Sequence, residues 1–181
     1  IMKIYKVNIS RKEVKCSKCG KIIPVGSKYF YFTPRYRGKQ SRCTEHYPRP
    51  SELTSSEYLS TIYSYQEREI YYLITSIETA RDEIDSIAGE IRELGEQQDE
   101  KLSNMPESLQ YSPTGELLQE RYDICDEVAN TLENIEIPDY NEDELEVNGE
   151  IYETIEEYDD ALEEVLDNLR DEVSSALCDL N

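Results

Sequence analysis

The chain has 181 residues, 38% hydrophobic and 33% charged, a balance too polar for one thick core and better suited to elongated helices. Its formal charge of -21 is unevenly spread, because residues 1–50 hold 13 Lys/Arg and 2 Asp/Glu while residues 51–181 hold 6 and 38. Such a split excludes a uniformly acidic protein and predicts a basic module, 1–50, and an acidic one, 51–181, with different partners.

Met2 is expected to be the natural start. Residues 2–9 alternate weakly between apolar and polar, as a short strand does. A Cys16-Ser17-Lys18-Cys19-Gly20-Lys21 turn follows, and Pro24 and Gly26 lead into Lys28–Thr33, rich in strand-forming aromatics. Arg35-Tyr36-Arg37-Gly38-Lys39 reads as a basic turn, and Pro48-Arg49-Pro50 as a stiff boundary.

Beyond that boundary, Thr54 and Glu57 have the spacing of a capping box, with Leu53 and Tyr58 as a hydrophobic staple. A heptad then places Ile70, Ile77, Ile84 and Ile91 at one core position and Leu73, Ala80, Ile87 and Leu94 at the other. This predicts a helix over 54–102, weakened towards its end by Gly89, Gly95 and the polar run 97–101. Pro113 opens a second helix over 114–136, with a stripe of Leu118, Tyr122, Cys125, Val128, Leu132 and Ile135. After Pro138, Asn148 is the expected cap of a third helix over 149–180, striped by Ile151, Ile155, Tyr158, Leu162, Val165, Leu169, Val173, Ala176 and Leu180. The expected fold is mainly α: a small β-hairpin module followed by an antiparallel coiled coil or three-helix bundle. A homodimer through the first helix is the alternative.

The sharpest chemical signal is Cys16, Cys19, Cys43 and His46. Thiolates and imidazole are the ligands of closed tetrahedral zinc sites, and CxxC sets two thiolates on one tight turn. The second pair, CxxH, arrives after 23 intervening residues, room for a hairpin. Reading the four as ordinary buried cysteines beside a surface histidine leaves both spacings to coincidence. One structural Zn2+ is therefore expected. The run Cys16–Gly26 resembles the opening of a PARP-type finger, and the whole of about 10–50 resembles treble-clef zinc fingers, which implies a knuckle and hairpin that supply two ligands and a following turn that supplies two more. PARP-type fingers recognise DNA breaks through CxxC and a later HxxC. Here the last pair runs Cys43 then His46 at shorter spacing, so the resemblance implies the fold of a finger and not that recognition.

Four protein ligands leave no position for a catalytic water, and His46 is the one histidine in the chain. With no HExxH, phosphate-cradling glycine loop or deaminase signature, no enzyme is expected, and Cys125 and Cys178 read as thiols of helical stripes. Arg35, Tyr36, Arg37, Lys39 and Arg42 form a basic cluster suited to nucleic-acid phosphates or a protein partner; pairing with the chain's own acidic helices competes with that use. Asp139, Asn141, Asp143 and Glu150 occupy calcium-ligand positions of an EF-hand loop, although Glu144 stands where the sharp turn demands glycine.

Three functions fit these features. The first is a non-enzymatic regulator or adaptor whose basic module and acidic helices engage different partners. The second is a DNA mimic that inhibits a basic nucleic-acid enzyme, since the acidic part is similar in composition to phage anti-restriction and anti-CRISPR proteins and its carboxylates can imitate a phosphate array. The third is a transcription-machinery factor with a coiled-coil hairpin. No apolar run reaches membrane-spanning length, and paired Cys spacing fits a reducing compartment, so a cytoplasmic location (the host's, if phage-encoded) is expected.

Overall fold

The computed structural model describes residues 2–35 and 37–180. About 53% of the chain is helical, and it divides into two compact units, Ile1–Glu67 and Arg68–Asn181.

The first unit is built on short antiparallel strands. β1 (Tyr5–Val7), β4 (Tyr29–Phe32) and β5 (Gln40–Arg42) form one sheet in the order β1-β4-β5, and β2 (Val14–Lys15) pairs with β3 (Ile22–Ile23) in a separate hairpin. Strands this short cannot hold a sheet by ladder bonds alone. Side chains supply the rest: Cys16, Ile23, Tyr29 and Cys43 make the buried centre, with Val7, Val14 and Tyr31 packed against it. Tyr5 and Tyr31, directly paired across β1 and β4, stack with ring centroids 5.0 Å apart. A 3-10 turn (Pro50–Leu53) leads into α1 (Glu57–Glu67), which buries Tyr58, Ile62 and Tyr65.

α1 corrects two expectations. It starts at Glu57, where the Ser56 hydroxyl accepts a bond from the Leu59 N–H, so Ser56 and not Thr54 caps it. It also ends at Glu67, and the single helix over 54–102 does not form. A 3-10 turn (Ile70–Tyr72) intervenes before α2 (Ile77–Ser103). The cause is local. Ile70, Tyr71, Tyr72 and Ile74 are aromatic or β-branched residues of modest helix propensity, followed by Thr75-Ser76, whose side chains favour a helix start. The Ser76 hydroxyl accepts from Thr79 N–H, and Glu83 reaches back to the Thr75 N–H and hydroxyl.

In the second unit, α2 is followed by the short α3 (Glu107–Gln110) and by α4 (Pro113–Glu133), which opens with Ser112 capping Gly115 N–H and with proline at its first turn. α2 and α4 lie antiparallel. Arg81 reaches the carbonyls of Glu133 and Ile135, Arg92 binds Asp126 and Glu133 at 2.9 and 2.8 Å, and Gly95 abuts Cys125 and Tyr122. Ile77, Ala80, Ile84, Ile87, Ile91 and Leu94 are buried as the heptad places them, whereas Ile70 and Leu73 lie in the interruption and are only half-buried. Gly95 is not a weak point. A Cβ there would lie 2.8 Å from the Cys125 Cβ, so glycine is what lets the two helices close.

Residues 139–151 also differ from expectation. They form a three-stranded antiparallel meander, β6 (Tyr140–Asn141), β7 (Glu146–Val147) and β8 (Glu150–Ile151). Leu145 and Asn148 take positive φ in its turns, at 50° and 52°. Asn148 thus serves a turn, and Thr154 caps α5 (Ile155–Cys178) by accepting from Glu157 N–H. The third helix therefore begins several residues after position 149. Ile151 and Ile155, expected in its buried stripe, are exposed, while Leu169, Val173, Ala176 and Leu180 are buried. α5 contacts the 70–72 turn, α4 and β7. Arg170, 5% exposed, is the main tie: its Nε donates to the Ile74 carbonyl at 3.0 Å, its guanidinium lies 4.2 Å from the Tyr71 ring centre, and it pairs with Asp167.

Candidate metal centre

The knuckle that carries Cys16 and Cys19 is the β2–β3 connection. The Cys16 N–H donates to Lys21 C=O and the Gly20 N–H returns to Cys16 C=O, both at 2.9 Å, which curls the chain around the two thiols. Gly20 sits at φ +74°, a conformation that side-chain-bearing residues adopt at a cost. The other pair follows β5 directly, on a turn closed by the His46 N–H to Cys43 C=O. The β4–β5 hairpin thus delivers Cys43 and His46 to the knuckle.

The four ligand atoms lie within 4.8 Å of one another, and the cluster can hold one metal ion. Cys19 Sγ and Cys43 Sγ are 4.0 Å apart, close to the roughly 3.8 Å edge of a tetrahedron with metal–sulfur bonds of about 2.3 Å. His46 Nδ1 is 3.1 Å from Cys43 Sγ, so this nitrogen is the one turned inward. Cys16 and Cys43 are buried, His46 is half-buried and Cys19 is exposed. Burial pushes the Cys43 thiol up from its ordinary value. Burial acts the same way on Cys16, yet N–H groups of Cys19, Cys43 and Lys18 outweigh it and hold that thiol down to about 6. One ligand is ready as thiolate and a neighbouring thiol gives up its proton when a cation arrives.

The other expected site residues fare differently. Tyr36 lies outside the described residues. Arg35 and Arg37 are exposed on the β4–β5 connection. Lys39 is there too, with its ammonium 3.6 Å above the Tyr31 ring and bonded to the Tyr29 hydroxyl. Arg42 is not a surface contact. It is 7% exposed and its Nη2 binds Glu52 at 2.8 Å. Arg42 pairs across the sheet with Phe30, and its buried charge needs the internal partner that Glu52 supplies.

Asp139, Asn141, Asp143 and Glu150 are drawn into the β6–β8 meander, where Asp139 C=O accepts from Asn148 N–H and the Asn141 side chain accepts from Asp143 N–H. Among the described residues, the Cys/His set is the one cluster of such side chains placed to bind a metal. No described helix is long and apolar enough to cross a membrane.

No protein-family model, curated protein or solved structure matches the chain.

Proposed function

We propose that the protein is a non-enzymatic adaptor that acts by macromolecular binding, with Cys16, Cys19, Cys43 and His46 holding one structural zinc ion. The observation that carries this reading is that the charge split coincides with the folded units: Ile1–Glu67 holds 13 Lys/Arg and 5 Asp/Glu, and Arg68–Asn181 holds 6 and 35. Two separately built units of opposite sign suit two partners of opposite sign, which they would draw in by long-range attraction. Zinc is favoured over other ions by three thiolates and an imidazole in near-tetrahedral spacing. Four protein ligands close the coordination shell, so the ion's role is to fasten a treble-clef-like module that its short strands cannot stabilise alone.

A DNA mimic is the second reading. It is favoured by an acidic groove along α4 lined by Asp123, Asp126, Glu127, Glu136 and Glu172. Carboxylates on a rigid antiparallel helical pair, read as a coiled coil, can stand in for a phosphate array.

Two measurements test these readings. Metal analysis of the full chain is expected to find one zinc per molecule and Cys16→Ser to find none, with loss of tyrosine near-ultraviolet signal from the first unit. A full-length chain purified from zinc-replete cells without bound zinc refutes the centre. Binding of the full chain to DNA and to a basic nucleic-acid enzyme is then followed across a salt series. The adaptor reading expects both to bind and to weaken with salt, the mimic expects the enzyme alone in competition with DNA, and binding to neither ends both.

A further inference from the structure

The first unit also contains an open cleft of about 740 Å³, away from the metal ligands, between the β4–β5 connection and the segment running from the 3-10 turn into α1. Arg35, Arg37, Arg42, Thr54 and Ser56 are among the residues that line it. Three features give it the character of an anion site. Arg42 is nine-tenths buried, held in place by Glu52, and its Nε is buried without a hydrogen-bond partner. A guanidinium N–H left so is unusual, and an acceptor that reaches it satisfies it. Two hydroxyls of the lining are held by the backbone: Thr54 Oγ1 accepts from Ser56 N–H, and Ser56 Oγ accepts from Leu59 N–H. Each oxygen accepts one backbone bond and still carries an O–H that can donate. Finally, the start of the 11-residue α1 opens at the same place, adding the partial positive charge of its first N–H groups.

Glu52 and Glu57 also line the cleft. Glu52 is already committed to Arg42 and to the Arg49 N–H, and Glu57 is exposed on the first turn of the helix. Arg37 adds an exposed guanidinium to the lining. Guanidinium forks and hydroxyls that line one cleft match the tetrahedral oxygens of phosphate better than a planar carboxylate.

We propose that this cleft binds a phosphate group, either of a small phosphate ester or of a nucleic-acid end. The inference rests on the reading of the first unit as a binding module. Its test reads neither the acidic unit nor a partner protein, so the two fail separately. Inorganic phosphate, AMP, and one oligothymidylate with and without a 5′-phosphate are titrated into the zinc-loaded full chain by calorimetry, alongside Arg37→Ala and Arg42→Lys. Zinc content reports folding of the unit, and should Arg42→Lys lose zinc, Arg37→Ala decides alone. Phosphate is expected to bind, and Arg37→Ala to weaken it at least about tenfold, the loss of one charge-assisted contact. Binding of AMP without preference for the phosphorylated oligomer assigns a small ester; preference for the 5′-phosphorylated oligomer assigns a nucleic-acid end. The proposal is overturned if phosphate does not bind, if zinc-containing Arg37→Ala binds it as tightly as the parent, or if the two oligomers bind equally and AMP not at all.

Discussion

The closest approach of α2 and α4 gives a sharp test of the second unit. Gly89 and Gly95 lie in the same helix, and alanine at either one removes the same backbone entropy from the unfolded chain and restores helix propensity, worth about 1 kcal/mol. Their surroundings are opposite. A Cβ at Gly89 meets nothing within 4 Å, whereas at Gly95 it lies 2.8 Å from Cys125 Cβ and 3.5 Å from the Tyr122 carbonyl. Neither obstacle is a flexible side-chain end, so the helices must separate, and overpacking of this kind costs about 1–3 kcal/mol. Gly89→Ala is therefore expected to stabilise the unit by about 1 kcal/mol, and Gly95→Ala to be about 1–3 kcal/mol less stable than Gly89→Ala. Urea unfolding followed by circular dichroism at the helix band measures both, with the urea slope confirming that the unfolded states are alike. Equal shifts for the two variants would show that α2 and α4 do not meet at Gly95.

Arg170→Met should keep most of the packing volume but leave the Ile74 carbonyl without its donor and Tyr71 without its cation, costing about 2–4 kcal/mol in the same urea assay. A loss under half a kcal/mol would remove Arg170 as the tie between α5 and the 70–74 segment. Glu52 predicts a pH dependence. Burial by itself raises its pKa, but the hydrogen bond from Arg42, the Arg49 N–H and the Arg42 charge outweigh it, and the carboxyl lies below its ordinary value. A depressed folded value means that the stability it contributes is complete above the ordinary carboxylate range and is lost as pH falls through the folded value. Glu52→Gln is thus expected to be about 1–3 kcal/mol less stable than the parent at neutral pH, with the gap closing in acid. A gap independent of pH across an acid series would rule out the ion pair as its source.

The Cys/His cluster that can hold a metal was legible because a ligand set is a matter of residue type and spacing. CxxC and CxxH each close on a single local turn, and the aromatic strand between them needs only to return the chain. The charge division was equally open to inspection, as were the buried stripe from Ile77 to Leu94 and the proline-initiated second helix. The break between α1 and α2 was harder, because Ile70 and Leu73 continue a heptad whose period outweighs the weak local preferences of Tyr71, Tyr72 and Thr75. The calcium pattern is a weaker signal, because acidic spacing is easily matched in an acidic chain; its residues lie in a meander whose turns hold Leu145 and Asn148 at positive φ.

Residue type and local spacing thus determined, without further help, that this chain gathers three thiols and an imidazole, and that its helices carry an acidic excess. Tertiary packing decided what no local pattern encodes. Arg42 left the surface because burial of a guanidinium is tolerable only beside Glu52, ten residues away in the chain. Arg170, 96 residues on, satisfies the Ile74 carbonyl in the segment where the long helix has broken. Both are hydrogen bonds between distant segments, and buried polar groups must find such partners wherever the fold brings them.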